Sequence, residues 1–146
     1  MWGRSLLLMR KTIAGEDGHG LDKTSPQRFS ILIIDDDPVV GDALKVVLES
    51  NGYEVVWVDN GRAGIIEANR RLFALGIIDL FLSDISGLEA IKSIKGQRPE
   101  FPIILITANG TPKDFSAARR LGVLGILEKP FRPDEILELI AGALQK

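Results

Sequence analysis

The sequence predicts an α/β domain built on a doubly wound, five-stranded parallel sheet. Short apolar runs alternate along the chain with segments whose apolar residues recur at the three- and four-residue spacing of an amphipathic helix. The runs are continuous rather than interleaved with polar residues, which is typical of parallel strands covered on both faces. Five strands that are each followed by a helix require right-handed crossovers, and these place helices on both faces of the sheet.

The first strand and the first helix are marked at both ends. Residues 31–34 are apolar and mostly β-branched, and three consecutive carboxylates follow them. Asp37 suits the N-cap of the next helix, and Pro38 suits its first position, where a missing N–H costs nothing. Apolar residues then keep helical spacing over residues 40–48, and Asn51-Gly52 predicts the end of the helix.

The next two strand and helix pairs follow at short intervals. We predict a strand over residues 54–58, a turn over residues 59–61 and a helix over residues 62–73. The residues of this helix predicted to face inward are Ile65, Ile66, Ala68, Leu72 and Phe73. The third strand is predicted over residues 78–83, so that Asp84 follows its end. The spacing of Ser86 and Glu89 is that of a capping box, which starts the third helix at once.

The last two pairs complete the predicted sheet. Residues 103–106 form another apolar run, and Asn109-Gly110 predicts a turn after it. Thr111 suits the cap of the fourth helix and Pro112 its first residue, and Leu121-Gly122 predicts its end. The fifth strand is predicted over residues 123–127 and the last helix over residues 133–144.

Length and composition narrow the range of functions. A chain of 146 residues with 45% hydrophobic and 26% charged residues is ordinary for one soluble globular domain. A net charge of -2 does not support direct nucleic-acid binding. The absence of cysteine excludes disulfides and thiolate chemistry, and the single histidine, His19, cannot form a His-rich metal site alone. No stretch of the sequence is long and apolar enough to cross a membrane.

Residues 1–28 are predicted to be an N-terminal extension. The part over residues 14–27 is rich in Gly and charged residues, and such segments bury too little apolar surface to fold. The apolar stretch over residues 5–9 is far shorter than the core of a signal peptide. The globular domain is therefore predicted to span residues 29–146.

Polar residues follow four of the predicted strands at their carboxyl ends. These residues are Asp35 and Asp36 after the first strand, Asp84 after the third, Thr107 after the fourth and Lys129 after the fifth. Active groups of doubly wound sheets cluster at this edge. Converging carboxylates suit Mg²⁺, and an ammonium and a hydroxyl suit phosphoryl oxygens. Each residue alone is compatible with a purely structural role, but together they predict phosphoryl transfer onto a carboxylate.

Five segments carry a resemblance to a known family. They are ILIIDDDP (31–38), DLFLSDI (79–85), GLEAIKSIK (87–95), ILITANG (104–110) and LEKPF (127–131). From residue 29 onward the chain resembles the receiver domain of bacterial two-component response regulators. The resemblance implies the flavodoxin-like receiver fold, with strand order 2-1-3-4-5.

The resemblance also implies how a metal site would be built. Asp84 would be the phosphoacceptor, and Asp35, Asp36 and Asp84 would hold Mg²⁺ together with the backbone carbonyl of Ser86. Measured from Asp84, however, the loop before the third helix is about five residues shorter than the family pattern. This expected shortening puts the metal geometry at Ser86 in question.

On the phosphoryl side, the resemblance implies contacts from Thr107, Ala108 and Lys129. The Lys129-Pro130 peptide bond is expected to be cis. Ile126 occupies the switch position, where many receivers have a Tyr or Phe whose rotation reports phosphorylation. An isoleucine cannot provide that aromatic movement, so signalling is expected to depend on a population shift of the fourth helix and fifth strand.

These features together predict a single-domain response regulator. It would accept a phosphoryl group from a histidine kinase or histidine phosphotransfer protein, in a Mg²⁺-dependent reaction in the cytoplasm. It would catalyse only its own phosphorylation and dephosphorylation. Because two residues follow Leu144, the signal is expected to leave by protein–protein interaction or phosphorelay, without binding nucleic acid or membrane. The wide apolar surface of the last helix leaves a homodimer through the fourth and fifth helices open.

Three alternatives to this function remain open at this point. The first is a pseudo-receiver, an interaction module in which the shortened loop abolishes metal binding and phosphorylation. The second is a flavodoxin-like nucleotide or flavin binder, although three aspartates after the first strand would repel its phosphate. The third is a small metal-dependent hydrolase, for which the sequence offers no separate substrate-binding insertion.

Overall fold

The computed structural model describes residues 28–144, in which strands and helices alternate. The strands are β1 (Ser30–Ile34), β2 (Glu54–Val58), β3 (Leu75–Asp79), β4 (Ile103–Thr107) and β5 (Gly125–Glu128). The helices are α1 (Pro38–Ser50), α2 (Gly61–Arg70), α3 (Gly87–Gln97), α4 (Pro112–Arg120) and α5 (Pro133–Leu144). The predicted N-terminal extension lies, apart from Arg28, outside the described residues.

All five strands are parallel and lie in the order β2-β1-β3-β4-β5. This confirms the predicted doubly wound sheet and its strand order. Chain order reverses between β1 and β3, so the edge beyond the carboxyl ends of these two central strands is where such folds place their active groups.

The core consists of two apolar layers, one on each face of the sheet. On one face, Leu32 and Ile34 of β1 pack with buried residues of α2, α3 and α4. On the other face, Ile31 and Ile33 pack with buried residues of α1 and α5. Successive side chains of a strand point to opposite faces, so a continuous apolar strand supplies both layers. Residues 31–34 are fully buried for this reason.

The end of the second helix was predicted too late. The helix α2 stops at Arg70, and the extended residue Arg71 is its C-cap. Beyond this point Leu72 is 86% exposed, and Ile66 within the helix is 62% exposed, so both were wrongly predicted to face inward. Phe73 is buried, as predicted, but it lies after the helix. The guanidinium of Arg98 donates hydrogen bonds to backbone carbonyls at this helix end, which fixes the turn.

The third strand was placed too late by the sequence. The structure places β3 over Leu75–Asp79 rather than over residues 78–83, so the prediction that the strand runs to Asp84 is wrong. Gly76 lies within the strand beneath Phe101, where a Cβ atom would be 3.1 Å from the ring. This fit, and the pairing of Ile77 with both β1 and β4, select the earlier register.

Across residues 28–144, every helix is too short or too polar to serve as a bilayer span.

Candidate functional site

Three carboxylates converge at the carboxyl edge of the sheet. Ile34 of β1 pairs with Ile78 of β3, so the residues that follow them, Asp35 and Asp79, leave the sheet side by side. One oxygen from each of Asp35, Asp36 and Asp79 can be chosen such that all three lie within 4.8 Å of one another. A compact set of carboxylate oxygens is the ligand set that a hard cation such as Mg²⁺ takes in proteins.

The ammonium of Lys129 lies between two of these carboxylates. Its Nζ atom is 3.0 Å from Oδ2 of Asp35 and 3.3 Å from Oδ2 of Asp79. Burial of Lys129 disfavours its charged form, but the hydrogen bonds and charges of the two aspartates outweigh burial and raise the pKa of the lysine. The Lys129-Pro130 peptide bond after β5 is cis, which confirms the prediction made for it.

Asp79 has a carboxylate with a raised pKa. Burial, and after it the neighbouring charge of Asp35, raise the pKa of Asp79 to about 6, even though Lys129 acts in the opposite direction. The side chain of Asp79 is only 7% exposed, so water does little to stabilise its charge. An additional cation at the cluster would favour the ionised form of Asp79.

Thr107 lies at the same edge as the aspartates. It is the last residue of β4 and is fully buried. Its Oγ1 accepts a hydrogen bond of 3.2 Å from the backbone N–H of Asn109, and its carbonyl accepts one of 2.8 Å from the N–H of Lys129. The next residue, Ala108, is exposed. The predicted phosphoryl-contacting residues Thr107, Ala108 and Lys129 therefore follow neighbouring strands at one edge.

Asp84 occupies a different place from the one predicted. It lies in the loop over residues 80–86, outside the group formed by Asp35, Asp36 and Asp79. Its carboxylate accepts backbone N–H bonds from Gly61, Arg62 and Ile85, at 2.8 to 2.9 Å. These bonds, with that of Arg62 the largest, lower the pKa of Asp84. The resemblance implied Asp84 as phosphoacceptor on the assumption that the third strand runs to Asp84, whereas the strand ends at Asp79.

A signal in the sequence could have located Asp79. The first strand ends in Ile33-Ile34-Asp35, and the third ends in the same triplet, Ile77-Ile78-Asp79. The apolar residues 80–82 continue the run beyond Asp79 and so displaced the predicted strand end. Aligning the two triplets places both aspartates at equivalent strand ends, which is what the register shows.

The loop after the third strand is not shortened. Measured from Asp79, residues 80–86 separate β3 from α3, so the predicted deletion is wrong. Ser86 is the N-cap of α3, as predicted, and its Oγ accepts a 3.0 Å hydrogen bond from the N–H of Leu88 rather than from Glu89. The backbone of Ser86 forms an antiparallel bridge with Phe81. The residue two positions after Asp79 is Phe81, and its backbone N–H donates a 3.4 Å hydrogen bond to Oδ1 of Asp79.

The switch position lies on the face formed by α4, β5 and α5. Ile126 belongs to β5, is partly buried and packs against the core layer shared with α4. Together with Phe115 of α4, it lines an open groove that also contains Glu135 of α5. The switch position is therefore occupied by an isoleucine that packs against the core, and not by an aromatic residue.

Comparison with known proteins decides the family. The sequence profile of the response regulator receiver domain matches residues 31–141. The chain belongs to this family. The receiver domain is 34% identical over 116 residues to the transcriptional regulatory protein GlrR of Escherichia coli K12, a match that covers 80% of this chain and 26% of that protein. The chain thus spans about a quarter of the length of that curated relative.

Solved structures agree with the family assignment. A CheY-like receiver domain protein from Methanospirillum hungatei JF-1 superposes with a TM-score of 0.80 at 28% identity, covering 82% of this chain and 95% of that one. The chemotaxis response regulator CheY4 of Vibrio cholerae superposes with a TM-score of 0.75 at 26% identity, covering 81% and 100%. The chain therefore has the CheY-like fold of the receiver domains of two-component response regulators.

Proposed function

We propose that Asp79 is the phosphoacceptor of this receiver domain, and that the donor is a phosphohistidine on a histidine kinase or phosphotransfer protein. The observation that carries this proposal is the convergence of Asp79 with Asp35, Asp36 and Lys129 at the carboxyl edge of the sheet. Asp79 is the last residue of β3, so the sheet places its carboxylate beside those of Asp35 and Asp36.

The residues at this edge fit a bound Mg²⁺. Asp35, Asp36 and Asp79 would hold it, with the backbone carbonyl of Phe81 as a further oxygen ligand. When bound, Mg²⁺ neutralises charge on the phosphoryl oxygens. Burial raises the pKa of Asp79, and a bound cation would favour the ionised, nucleophilic form of this carboxylate.

The transfer itself exchanges one bond at phosphorus for another. A carboxylate oxygen of Asp79 attacks the phosphorus, the P–N bond breaks, and its electron pair stays on the leaving imidazole nitrogen. The imidazole leaves neutral because its other nitrogen carries a proton. Lys129 would exchange a carboxylate partner for a phosphoryl oxygen, and the Thr107 hydroxyl and the Ala108 N–H would donate to the remaining oxygens.

Output from the domain is a separate step of the proposal. We infer that the phosphorylated form acts by protein–protein interaction or phosphorelay in the cytoplasm, catalysing only its own phosphorylation and dephosphorylation. Because Ile126 has no ring to rotate, the change would be a population shift of α4 and β5. A homodimer through α4 and α5 remains a prediction. The pseudo-receiver alternative assumed a shortened loop before α3. Measured from Asp79, that loop comprises residues 80–86, which removes the reason given for this alternative.

Intact mass after incubation with a small acyl phosphate tests the proposal. Wild type, Asp79→Asn and Asp84→Asn are compared with Mg²⁺ and with a chelator. One Mg²⁺-dependent phosphoryl adduct is expected on wild type and Asp84→Asn, and none on Asp79→Asn. An adduct retained by Asp79→Asn refutes the assignment of the acceptor. A folded wild type that forms no adduct with Mg²⁺ instead favours the pseudo-receiver.

A further inference from the structure

Asp84 caps a helix that lies before it in the chain. The first N–H groups of a helix have no partner within the helix. In α2, the first two of them, on Gly61 and Arg62, donate to Asp84 at 2.8 and 2.9 Å. The side chain and the carbonyl of Asn60 accept from the next two. The start of α2 is therefore completed by a carboxylate from the loop over residues 80–86.

The loop and the helix approach closely at this contact. A Cβ atom at Gly61 would lie 2.5 Å from Cγ1 of Ile85 and 3.3 Å from Oδ1 of Asp84, so a larger residue would separate the two segments. The N–H of Ile85 donates to the same Oδ1 at 2.9 Å, which fixes the carboxylate within its own loop. Arg62 Nε adds an ion pair at 3.9 Å.

The other end of the same loop lies at the acidic cluster. The loop starts directly after Asp79, and Phe81, whose carbonyl is the expected oxygen ligand, is bridged to Ser86. The N–H of Gly87 donates a 2.7 Å hydrogen bond to the carbonyl of Leu80. One short segment therefore connects the proposed cation ligands at its base to the Asp84 cap at its tip.

We propose that Asp84 is a positioning residue for Mg²⁺ binding, which holds the loop over residues 80–86 against α2 and so keeps the Phe81 carbonyl in place. This inference rests on the proposed function. Hydrogen bonds from N–H groups to an ionised carboxylate are stronger than neutral ones, so the tip is held more firmly than a neutral cap would hold it. Asp84 itself contacts neither the cation nor the phosphoryl group.

The test compares two ways of weakening the same helix. Asp84→Ala and Asp84→Asn remove the cap at the start of α2. Arg98→Ala is the matched control, because Arg98 donates to the carbonyl of Ala68 in the last turns of α2 and to that of Phe73 just after the helix, remote from the cluster. Mg²⁺ affinity is measured by calorimetry, and unfolding in the presence of a chelator shows how much each variant lowers stability.

The expected result is a selective loss of Mg²⁺ affinity. Removing partners that orient metal ligands typically weakens binding by 10–100-fold, so Asp84→Ala should lose about tenfold. Asp84→Asn, which keeps one acceptor oxygen, should lose less. Arg98→Ala should be less stable than wild type but bind Mg²⁺ with wild-type affinity.

Other results would overturn the inference in distinguishable ways. If a folded Asp84→Ala variant binds Mg²⁺ with wild-type affinity, Asp84 has no positioning role. If the alanine variant does not fold, the same result for Asp84→Asn leads to the same conclusion. If Arg98→Ala weakens Mg²⁺ binding as much as Asp84→Ala does, Asp84 affects Mg²⁺ binding only through the general stability of the domain. In both cases a Mg²⁺-dependent adduct on wild type leaves the proposed function intact. A wild type that neither binds Mg²⁺ nor forms an adduct removes both.

Discussion

The indole Nε1 of Trp57 donates a 2.8 Å hydrogen bond to the backbone carbonyl oxygen of Asp35. This bond ties the edge strand β2 to the residue that follows β1, next to the acidic cluster. Gly41 of α1 allows the ring to lie there, because a Cβ atom at this position would be 2.3 Å from Cε2 of the ring. The sequence contains one other tryptophan, Trp2.

This contact predicts that Trp57 reports cation binding. Mg²⁺ bound at Asp35 would change the electric field at the indole, so we expect saturable changes in tryptophan emission on titration. The response should be lost in Trp57→Phe and kept in Trp2→Phe. A response that persists without Trp57 would show that the signal arises elsewhere in the chain.

Removal of the Asp79 charge should stabilise the metal-free protein at neutral pH. The pKa of Asp79 rises from 3.8 to about 6 on folding, chiefly by burial, so between these pH values the folded chain binds more protons than the unfolded chain. The free energy of unfolding of wild type therefore falls as pH rises through this window. Asp79→Asn does not undergo this loss of stability and should be more stable than wild type at pH 7, by roughly 3 kcal/mol.

Urea unfolding with a chelator, at several pH values between about 4 and 7, checks this expectation. The advantage of Asp79→Asn over wild type should grow with pH. Asp42→Asn, on the exposed side of α1, controls for the loss of a carboxylate from the surface. An advantage that shrinks as pH rises would contradict the sign derived from burial.

Gly87→Ala should distort the end of β3 at Asp79. A Cβ atom at Gly87 would lie 2.2 Å from the backbone oxygen of Asp79, and backbone cannot move aside as a flexible side chain does. We expect a loss of about 1–3 kcal/mol in the free energy of unfolding, with weaker Mg²⁺ binding. Chemical denaturation and calorimetry measure the two effects.

Gly96→Ala is the matched control in the same helix. No atom lies within 4 Å of its added Cβ, so it should be neutral or more stable by up to about 1 kcal/mol. If Gly87→Ala and Gly96→Ala have the same free energy of unfolding, α3 can move away from β3 with little loss of stability, which would contradict the prediction for Gly87→Ala.

Lys129→Met should lower the stability of the metal-free protein and raise its affinity for Mg²⁺. It leaves Asp35 and Asp79 buried without their cation, which should cost roughly 3 kcal/mol of metal-free stability. Mg²⁺ should then bind more tightly than in wild type, because no ammonium competes for the carboxylates. Thermal unfolding with and without Mg²⁺ checks both, with the exposed Lys92→Met as control. A smaller Mg²⁺-induced rise in Tm than that of wild type would refute the competition.

The predictable parts of the fold are those in which one local rule dominates. The second strand and the last helix were predicted with the bounds that the structure shows, since an apolar run or a helical spacing is flanked by turn residues. Thr111 caps α4 through a complete capping box with Asp114. The third strand failed because residues 77–82 form one run interrupted by a single aspartate, and no local rule decides where such a strand ends.

The sequence by itself determined the layered α/β fold, the edge at which the polar residues gather, and the identities of Asp35, Asp36, Thr107 and Lys129 there. Periodicity and turn chemistry act between near neighbours, so they can be recognised without coordinates. The tertiary structure showed that Asp79, rather than Asp84, joins Asp35 and Asp36 at this edge. Strand register is set by pairing and packing across the sheet, and that register places Asp79 beside Asp35 while Asp84 caps a helix.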